Sequence, residues 1–257
     1  MISNLANISS KANIGKNVTI DAFASIHQDV EIGDNCHIHS NAVIYPDTII
    51  GRDCKIFPGA VIGIVNQDLK YNGEKSNTVI GNNTTIREYA TIHKGTADKM
   101  TTKVGNNCLI MCYTHVGHDC AIGNNVIIAN NGSLAGHITV QDFVIIEGVV
   151  SAQQFVTIGA HSFVAGASLV RKSIPPYIRV AREPLQFIGV NTIGLSRRGF
   201  DKEIIKQIED IYRIIFVRGH NISNAIDVVE NEIPDSTYRK EILDFIKNQK
   251  EGIVKGI

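Results

Sequence analysis

ISSKANIGKNVTIDAFASIHQDVEIGDNCHIHSNAVIYPDTIIGRDCKIFPGAVI, residues 8–62, places isoleucine at every sixth position from Ile8 to Ile62. The same phase resumes at Ile80, Ile86 and Ile92. It returns at Val104 and continues through Ile110, Val116, Ile122, Ile128, Leu134, Val140 and Ile146 to Val170. Between residues 8 and 170 there are 28 such positions, and 24 hold Ile, Leu or Val; Asp68, Glu74, Asp98 and Ala152 are the exceptions. A period of six is neither the 3.6 of a helix nor the plain alternation of a half-buried strand. It fits short strands joined by evenly spaced corners, the repeat of a β-helix. A β-sandwich would not hold ten isoleucines in strict register.

The residue two before each aliphatic is small or β-branched, as in Ala12, Val18, Ala24, Cys36, Ala42, Thr48 and Cys54. Both positions point inward in an extended segment. Glycine often follows the aliphatic, at Gly15, Gly33, Gly51, Gly81, Gly105 and Gly123, and Asn or Asp commonly follows within two residues. These residues tolerate positive φ and are read as corners. Three six-residue sides make an 18-residue coil, and the repeat makes about nine coils. Cys36, Cys54, Cys108 and Cys120 take the small inward position, so they are expected as buried apolar residues. Cys112 is out of phase.

The prism is expected over residues 1–172, with loops thrown out near 64–79 and 96–103 where the aliphatic positions become Asp68, Glu74 and Asp98. SIPPYIRV opens an exit segment over 173–200. Helical spacing then starts at Asp201, with Ile204, Ile205, Ile208, Ile211, Tyr212 and Ile215 on one face. A second helix is expected from a cap at Ser223 and a third from Ser236, making a helical domain over 201–257. Exposed aromatics such as Phe23, Phe57 and Phe143 on flat outer faces suggest oligomerisation about the long axis.

The 257 residues carry 25 Lys plus Arg against 25 Asp plus Glu. A balanced charge gives no bulk drive toward nucleic acid. The start, MISNLANISS, lacks a signal-peptide pattern, and FVIIEGVV is far too short to span a bilayer. A cytoplasmic protein without stable membrane insertion is expected. There is no GxGxxG, GxxxxGK or Ser-His-Asp elbow.

Polar chemistry gathers in the middle and late coils. THVGHDC sets His115, His118 and Asp119 within five residues, and a carboxylate beside an imidazole can fix its tautomer and raise its basicity. His137 lies 19 residues after His118, one coil along and one position over, so the two are expected ~5–7 Å apart. Three histidines drawn from His93, His115, His118 and His137 could instead hold zinc, as in a zinc-dependent carbonic-anhydrase-like hydratase. Asp68 and Lys70 stand in the first loop, and Arg197 with Arg198 could clamp phosphate. Together with the histidines they suggest an anionic substrate such as a nucleotide sugar. A non-catalytic scaffold is the third alternative.

NQDLKY at 66–71, TIHKGT at 91–96, HVGHDC at 115–120, LAGH at 134–137, GVN at 189–191 and GLSRRGF at 194–200 carry a further reading. The chain resembles the UDP-N-acetylglucosamine acyltransferase family over nearly its whole length. The resemblance implies an all-β left-handed parallel β-helix with a C-terminal α-helical domain. It also implies a homotrimer with sites between adjacent prisms, and no metal or other cofactor. The reaction implied is transfer of a 3-hydroxyacyl group from acyl carrier protein to the 3-hydroxyl of UDP-N-acetylglucosamine, the first step of lipid A synthesis. By matching position, His118 resembles the general base, Asp119 its orienting acid, and Gly136 the backbone donor to the oxyanion. Asp68, Lys70, His115, His137 and Gln154 resemble sugar or acyl contacts. His93, Asn191, Arg197 and Arg198 resemble residues near the nucleotide, diphosphate or pantetheine. Gly166 matches a position whose bulk sets acyl length, and glycine there implies a long chain. Two positions depart from the pattern: Gln153 stands for a usual histidine, and Ile193 for a glutamate found in some members. N-acylation of the 3-amino sugar is the alternative that these departures leave open.

Overall fold

The computed structural model describes residues 1–249 and 252–256. Residues 250, 251 and 257, part of the expected helical domain, lie outside it. Residues 7–170 wind into a three-sided prism of short parallel strands. The first face has nine strands, from Asn7–Ile8 through His115–Val116 to Leu169–Val170. The second has eight, from Asn13–Ile14 to Thr157–Ile158. The third also has eight within this span, starting at Thr19–Ile20, and two more strands extend it to ten. Register places like residues over like, Ile26 over Ile44 and Ile44 over Ile62. Ile20, Ile38, Ile56, Ile86, Ile110 and Ile128 are all at most 1% exposed. Each such side chain contributes about 1.5–3 kcal/mol on burial, and the repetition of this one contact drives the fold. Cys36, Cys54, Cys108 and Cys120 are buried in the small inward position.

The corners differ from the sequence expectation in one respect. The left-handed residue is three after the aliphatic, at Asn17, Asn35, Asn83, Asn107 and Asn125, with φ of 54–59°. The glycines directly after the aliphatic are needed for closeness between coils. A Cβ on Gly33 would sit 2.7 Å from the backbone of Gly51 and Arg52, and one on Gly81 2.6 Å from the carbonyl carbon of Gly105. Non-glycine residues in the left-handed region cost about 1–2 kcal/mol, yet Phe23, Tyr89, His137, Phe143 and His161 also take it. Stacking on the next coil helps to hold several of them, as in Phe143 on His161 and Tyr89 on Tyr113.

Equivalent residues are 18 apart in regular coils, 30 apart across the first loop and 24 across the second. The loops therefore add whole multiples of six, which is why the phase survives them. Both leave the edge between the first and second faces. They bond to each other there: Asn66 Nδ2 and Ser76 Oγ donate to Gly95 O (3.1 and 2.6 Å), and Ala97 N–H donates to Glu74 Oε1 (3.0 Å).

Beyond the prism, Ile178–Ala181 continues the third face in parallel and Gln186–Val190 returns antiparallel to it. The segment expected as a plain exit thus extends a sheet. It also holds a short helix, α1 (Thr192–Arg197), too brief for a periodicity reading. Next come α2 (Lys202–Phe216), α3 (Ile222–Glu232) and α4 (Thr237–Lys247). The cap of α3 is Asn221, not Ser223; its side chain accepts from Asn224 N–H at 2.9 Å. Ser236 caps α4 as expected. Fully buried Tyr212 donates from its hydroxyl to Pro176 O (2.6 Å), and Tyr177 donates to Glu241 Oε2 (2.5 Å), fastening the helices to the prism end. No described helix is long and apolar enough to cross a membrane.

Candidate active site

The edge where the chain turns from the first face to the second carries Asp119, His137 and Phe155, each left-handed and each one coil above the last. His118 precedes Asp119 and is buried, while the Asp119 side chain is fully buried. His118 Nδ1 lies 2.9 Å from Asp119 Oδ2. The second loop holds that carboxylate from its other side. Thr96 Oγ1 donates to Oδ2 at 2.6 Å, and Thr96 N–H donates to Oδ1 at 3.0 Å. Asp119 N–H donates to Thr102 Oγ1 at 2.8 Å. Burial works to raise the Asp119 carboxyl, but the Thr96 hydroxyl, His118 and the Thr96 N–H outweigh it and hold the group below the usual carboxylate range.

With Nδ1 engaged, Nε2 of His118 faces a cleft of about 670 Å³. Asp68, Lys70, His93, His115, Gly136 and Gln154 line it with His118. Asp68 Oδ2 is 4.0 Å from His118 Nε2. A Cβ on Gly136 would stand 2.5 Å from that nitrogen, so only glycine lets the imidazole lie where it does. The Gly136 N–H donates to no partner among the described residues and sits beside the ring that faces the cleft.

His137 crosses His118 edge-on, with centroids 4.9 Å apart, and stacks on Phe155 at 4.6 Å. Its Nδ1 is 3.2 Å from Asp98 Oδ2 but is not aligned for a hydrogen bond. With Asp68 and Lys70 it lines an adjoining hollow of about 360 Å³. His93 meets His115 edge-on at 4.7 Å, and Thr91 Oγ1 lies 2.8 Å from His115 Nδ1. Burial, aided by His115 and His118, pushes the His93 imidazole down to about 4. Burial likewise lowers His115 and His137. Burial thus biases each of these imidazoles around His118 toward its neutral form.

The remaining candidates lie elsewhere in the chain. Gln153 is exposed beside the cleft lining. Asn191 is buried and caps α1: its Oδ1 accepts from Gly194 N–H, and its Nδ2 donates to His161 O at 2.8 Å. Arg197 is exposed, whereas Arg198 turns inward over the Phe143 ring and donates to Phe143 O at 2.9 Å. The adjacent arginines therefore diverge. Gly166 donates its N–H to Glu147 Oε2 at 2.9 Å. His118, Asp119 and His137 present donor atoms close enough for one metal ion. A cation on Oδ2 would compete there with both Thr96 and His118, since Asp119 uses both oxygens.

The sequence reading does not single out Thr96 or Thr102. Thr96 ends the string TIHKGT, read there for its histidine, and Thr102 falls within the loop expected near 96–103. Leu69, Ser133, Ala135 and Ser151 also line the cleft without an advance signal.

Residues 174–254 match the model of the second domain of UDP-N-acetylglucosamine O-acyltransferases, and residues 11–46, 32–64 and 101–136 match the bacterial transferase hexapeptide repeat. The chain is 38% identical over 196 residues to the acyl-[acyl-carrier-protein]–UDP-N-acetylglucosamine O-acyltransferase of Aliivibrio salmonicida, covering 76% of this chain and 75% of that one. It is 41% identical over 195 residues to the protein of the same name from Burkholderia orbicola, covering 74% of each. The chain belongs to the UDP-N-acetylglucosamine O-acyltransferase family. The crystal structure of the Bacteroides fragilis UDP-N-acetylglucosamine acyltransferase superposes with a TM-score of 0.98 at 47% identity, covering 99% of this chain and 100% of that one. The Arabidopsis UDP-N-acetylglucosamine acyltransferase superposes at 0.85 with 30% identity, covering 100% and 99%. Family membership makes the prism a left-handed parallel β-helix, an exception to the right-handed crossover rule.

Proposed function

We propose that this chain transfers a 3-hydroxyacyl group from acyl carrier protein to the 3-hydroxyl of UDP-N-acetylglucosamine, the first step of lipid A synthesis. The observation that carries the reading is an imidazole whose inner nitrogen is fixed on a buried carboxylate while its outer nitrogen faces the cleft. His118 Nε2 takes the sugar hydroxyl proton as that oxygen attacks the thioester carbon. Asp119 holds the tautomer and stabilises the imidazolium that forms. The Gly136 N–H donates to the oxyanion of the tetrahedral intermediate. The C–S bond then breaks, and the proton on Nε2 passes to the departing thiolate, leaving an ester and a free carrier thiol. Asp68, Lys70, His115, His137 and Gln154 bind sugar and acyl groups. No metal or other cofactor enters this reading.

Gln153, Asn191, Arg197 and Arg198 do not line the cleft of a single chain. In a homotrimer, a neighbouring prism brings Asn191, Arg197 and Arg198 toward the nucleotide, diphosphate and pantetheine, which His93 of the cleft also approaches. A cytoplasmic carrier protein, acidic in character, meets basic residues on the outer surface. Gly166 keeps the acyl groove open for a long chain; a Cβ there would already lie 3.3 Å from Gly148 O.

The test offers carrier protein loaded with 3-hydroxyacyl chains of several lengths to UDP-N-acetylglucosamine and to its 3-amino analogue. Ester formation on the first acceptor, matched by thiol release, is expected to be faster. Faster amide formation would move the assignment to the 3-amino sugar, the reading that Gln153 and Ile193 favour. No thiol release would leave the scaffold, or, with zinc found bound by metal analysis, the hydratase. Gly166→Met is expected to shift preference to shorter chains, and an unchanged length profile would remove Gly166 from that role.

A further inference from the structure

A second cluster of imidazole and carboxylate lies on the third face, near the other end of the prism. His37 and His39 flank inward-facing Ile38, so both point outward from the same strand. Asp21, one coil below, donates its N–H to Ile38 O, which draws its carboxylate up beside them. His37 Nε2 and His39 Nδ1 both converge on one oxygen, Asp21 Oδ2, at 3.0 and 3.3 Å. All three donor atoms lie within 4.8 Å of one another. The ring planes are held by stacking: His37 on His39 at 3.7 Å, His39 on Phe57 at 4.6 Å, and Arg87 over Phe57 at 4.5 Å.

We propose that Asp21, His37 and His39 form a mononuclear site for a divalent transition cation of the zinc class. Donors about 2.0–2.2 Å from a tetrahedral ion are separated by roughly 3.3 Å, close to the 3.0 and 3.3 Å between Asp21 Oδ2 and each imidazole nitrogen. Two imidazoles and a carboxylate suit zinc and its neighbours rather than magnesium or calcium. The side chains are 24–37% exposed, so an ion has a path in and solvent can complete its coordination. At the active site Asp119 spends both oxygens on Thr96 and His118; among the described residues, Asp21 Oδ2 meets just the two imidazoles. Lys55, the register neighbour of His37, is exposed and bonds to none of the three. None of the three ligands lines the cleft, and an ion there would tie two coils together near an end where Ile8 and Ile14 are only partly buried.

The full-length protein, stripped of metal with a chelator, is titrated with Co²⁺ and then Zn²⁺. One Co²⁺ per chain, visible by its d–d absorption and displaced by Zn²⁺, is expected. Zn²⁺ should raise the thermal midpoint, because it binds the folded chain. His39→Gln and Asp21→Asn should each weaken binding by more than the ~10–100-fold that follows loss of a merely supporting partner. Their metal-free midpoints, compared with that of the parent, report whether the face still folds. His137→Gln should leave cobalt affinity unchanged. The proposal is overturned by no saturable binding, by unaltered affinity in folded His39→Gln, or by loss of binding in His137→Gln. Acyltransfer by His39→Gln is expected to continue, so failure here and failure of the acyltransferase reading are separable.

Discussion

Asn35, on the edge between the second and third faces, turns with φ of 59°; so does Asp119, on the edge between the first and second. The backbone device is the same, but the side chains are used differently. On the first of these edges Asn17, Asn35 and Asp53 pass side-chain hydrogen bonds upward at 3.3 and 3.0 Å, and Asn83 donates to Asn107 at 2.9 Å. These asparagine and aspartate corners are bonded to the next coil, and the ladder joins coils without facing a cleft. On the other edge two loops depart from the stack and lie beside it. Asp119 therefore finds one partner outside the stack, Thr96 of a loop, and another in its own neighbour His118. A repeat that satisfies itself leaves nothing for chemistry. Chemistry begins where an insertion replaces the partner that the next coil would have supplied.

That contrast is broken most sharply at the imidazole. His118→Gln is expected to lower kcat/KM by ~10²–10⁴, the range that a positioned general base supplies, while thermal unfolding stays close to that of the parent. A variant that keeps near-parental turnover with 3-hydroxyacyl carrier protein would take His118 out of the base role. Thr96→Val comes next. It removes the hydroxyl donor but keeps the backbone N–H, leaving a buried carboxylate short of a charged hydrogen bond worth about 1.5–3 kcal/mol. A fall in kcat of roughly 10-fold or more is expected. Thr96 holds the Asp119 carboxyl low, so its loss raises that group, and the acid limb of the rate profile should move to higher pH. Thr96→Ser should restore both. A lower rate with an unmoved acid limb would reduce Thr96 to a packing role.

A smaller effect concerns two histidines, one on each side of the comparison. Burial pushes His93, in the cleft, and His161, on the ladder edge, down to about 4. The unfolded chain takes up these protons near pH ~6.5, whereas the folded chain resists until about pH 4. Their stabilising contribution is therefore complete above the unfolded value and declines as pH falls through this window. Each slope is at most about 1.4 kcal/mol per pH unit, reduced by partial exposure. His161 already stacks between Phe143 and Tyr177, and its Nδ1 is buried without a partner. His161→Phe should keep the stack and flatten the slope, measured by chemical denaturation at several pH values. An unchanged slope would exclude His161 as a source.

The ladder of isoleucines was legible because each one repeats the same burial, so a period in the letters is a period in the core. His118, Asp119 and His137 could be placed near one another because their spacing is counted in coils, whereas loop residues Asp68 and Lys70 were joined to them only by the resemblance. The Thr96 clamp could not, because the repeat marks a loop only as a departure from the core and says nothing of where it lands. The corner glycines were misread for a related reason. Their requirement is the distance between neighbouring coils, as the 2.7 Å approach at Gly33 shows, and one coil of sequence carries no sign of that distance. Helix α1 has six residues, too few for a period, and Asn221 and Ser223 are both acceptable caps until α3 chooses its start.

Asn107→Ala tests the ladder edge alone. Alanine keeps a Cβ in the left-handed region, costing about 1 kcal/mol, and it cannot accept the bond from Asn83. Unlike asparagine, it has no short polar side chain to ease that backbone conformation. The residue lies away from the cleft, so kcat/KM with either acceptor should be unchanged while the unfolding free energy falls by roughly 1–2 kcal/mol. Asn107→Gly separates the two causes, since it relieves the backbone but still lacks the amide. It should recover most of the loss if φ dominates, and little of it if the hydrogen bond does. Partial recovery would apportion the edge between backbone and ladder. A loss of turnover in either variant would mean that the two edges are coupled through the stack, and the division of labour between them would fail.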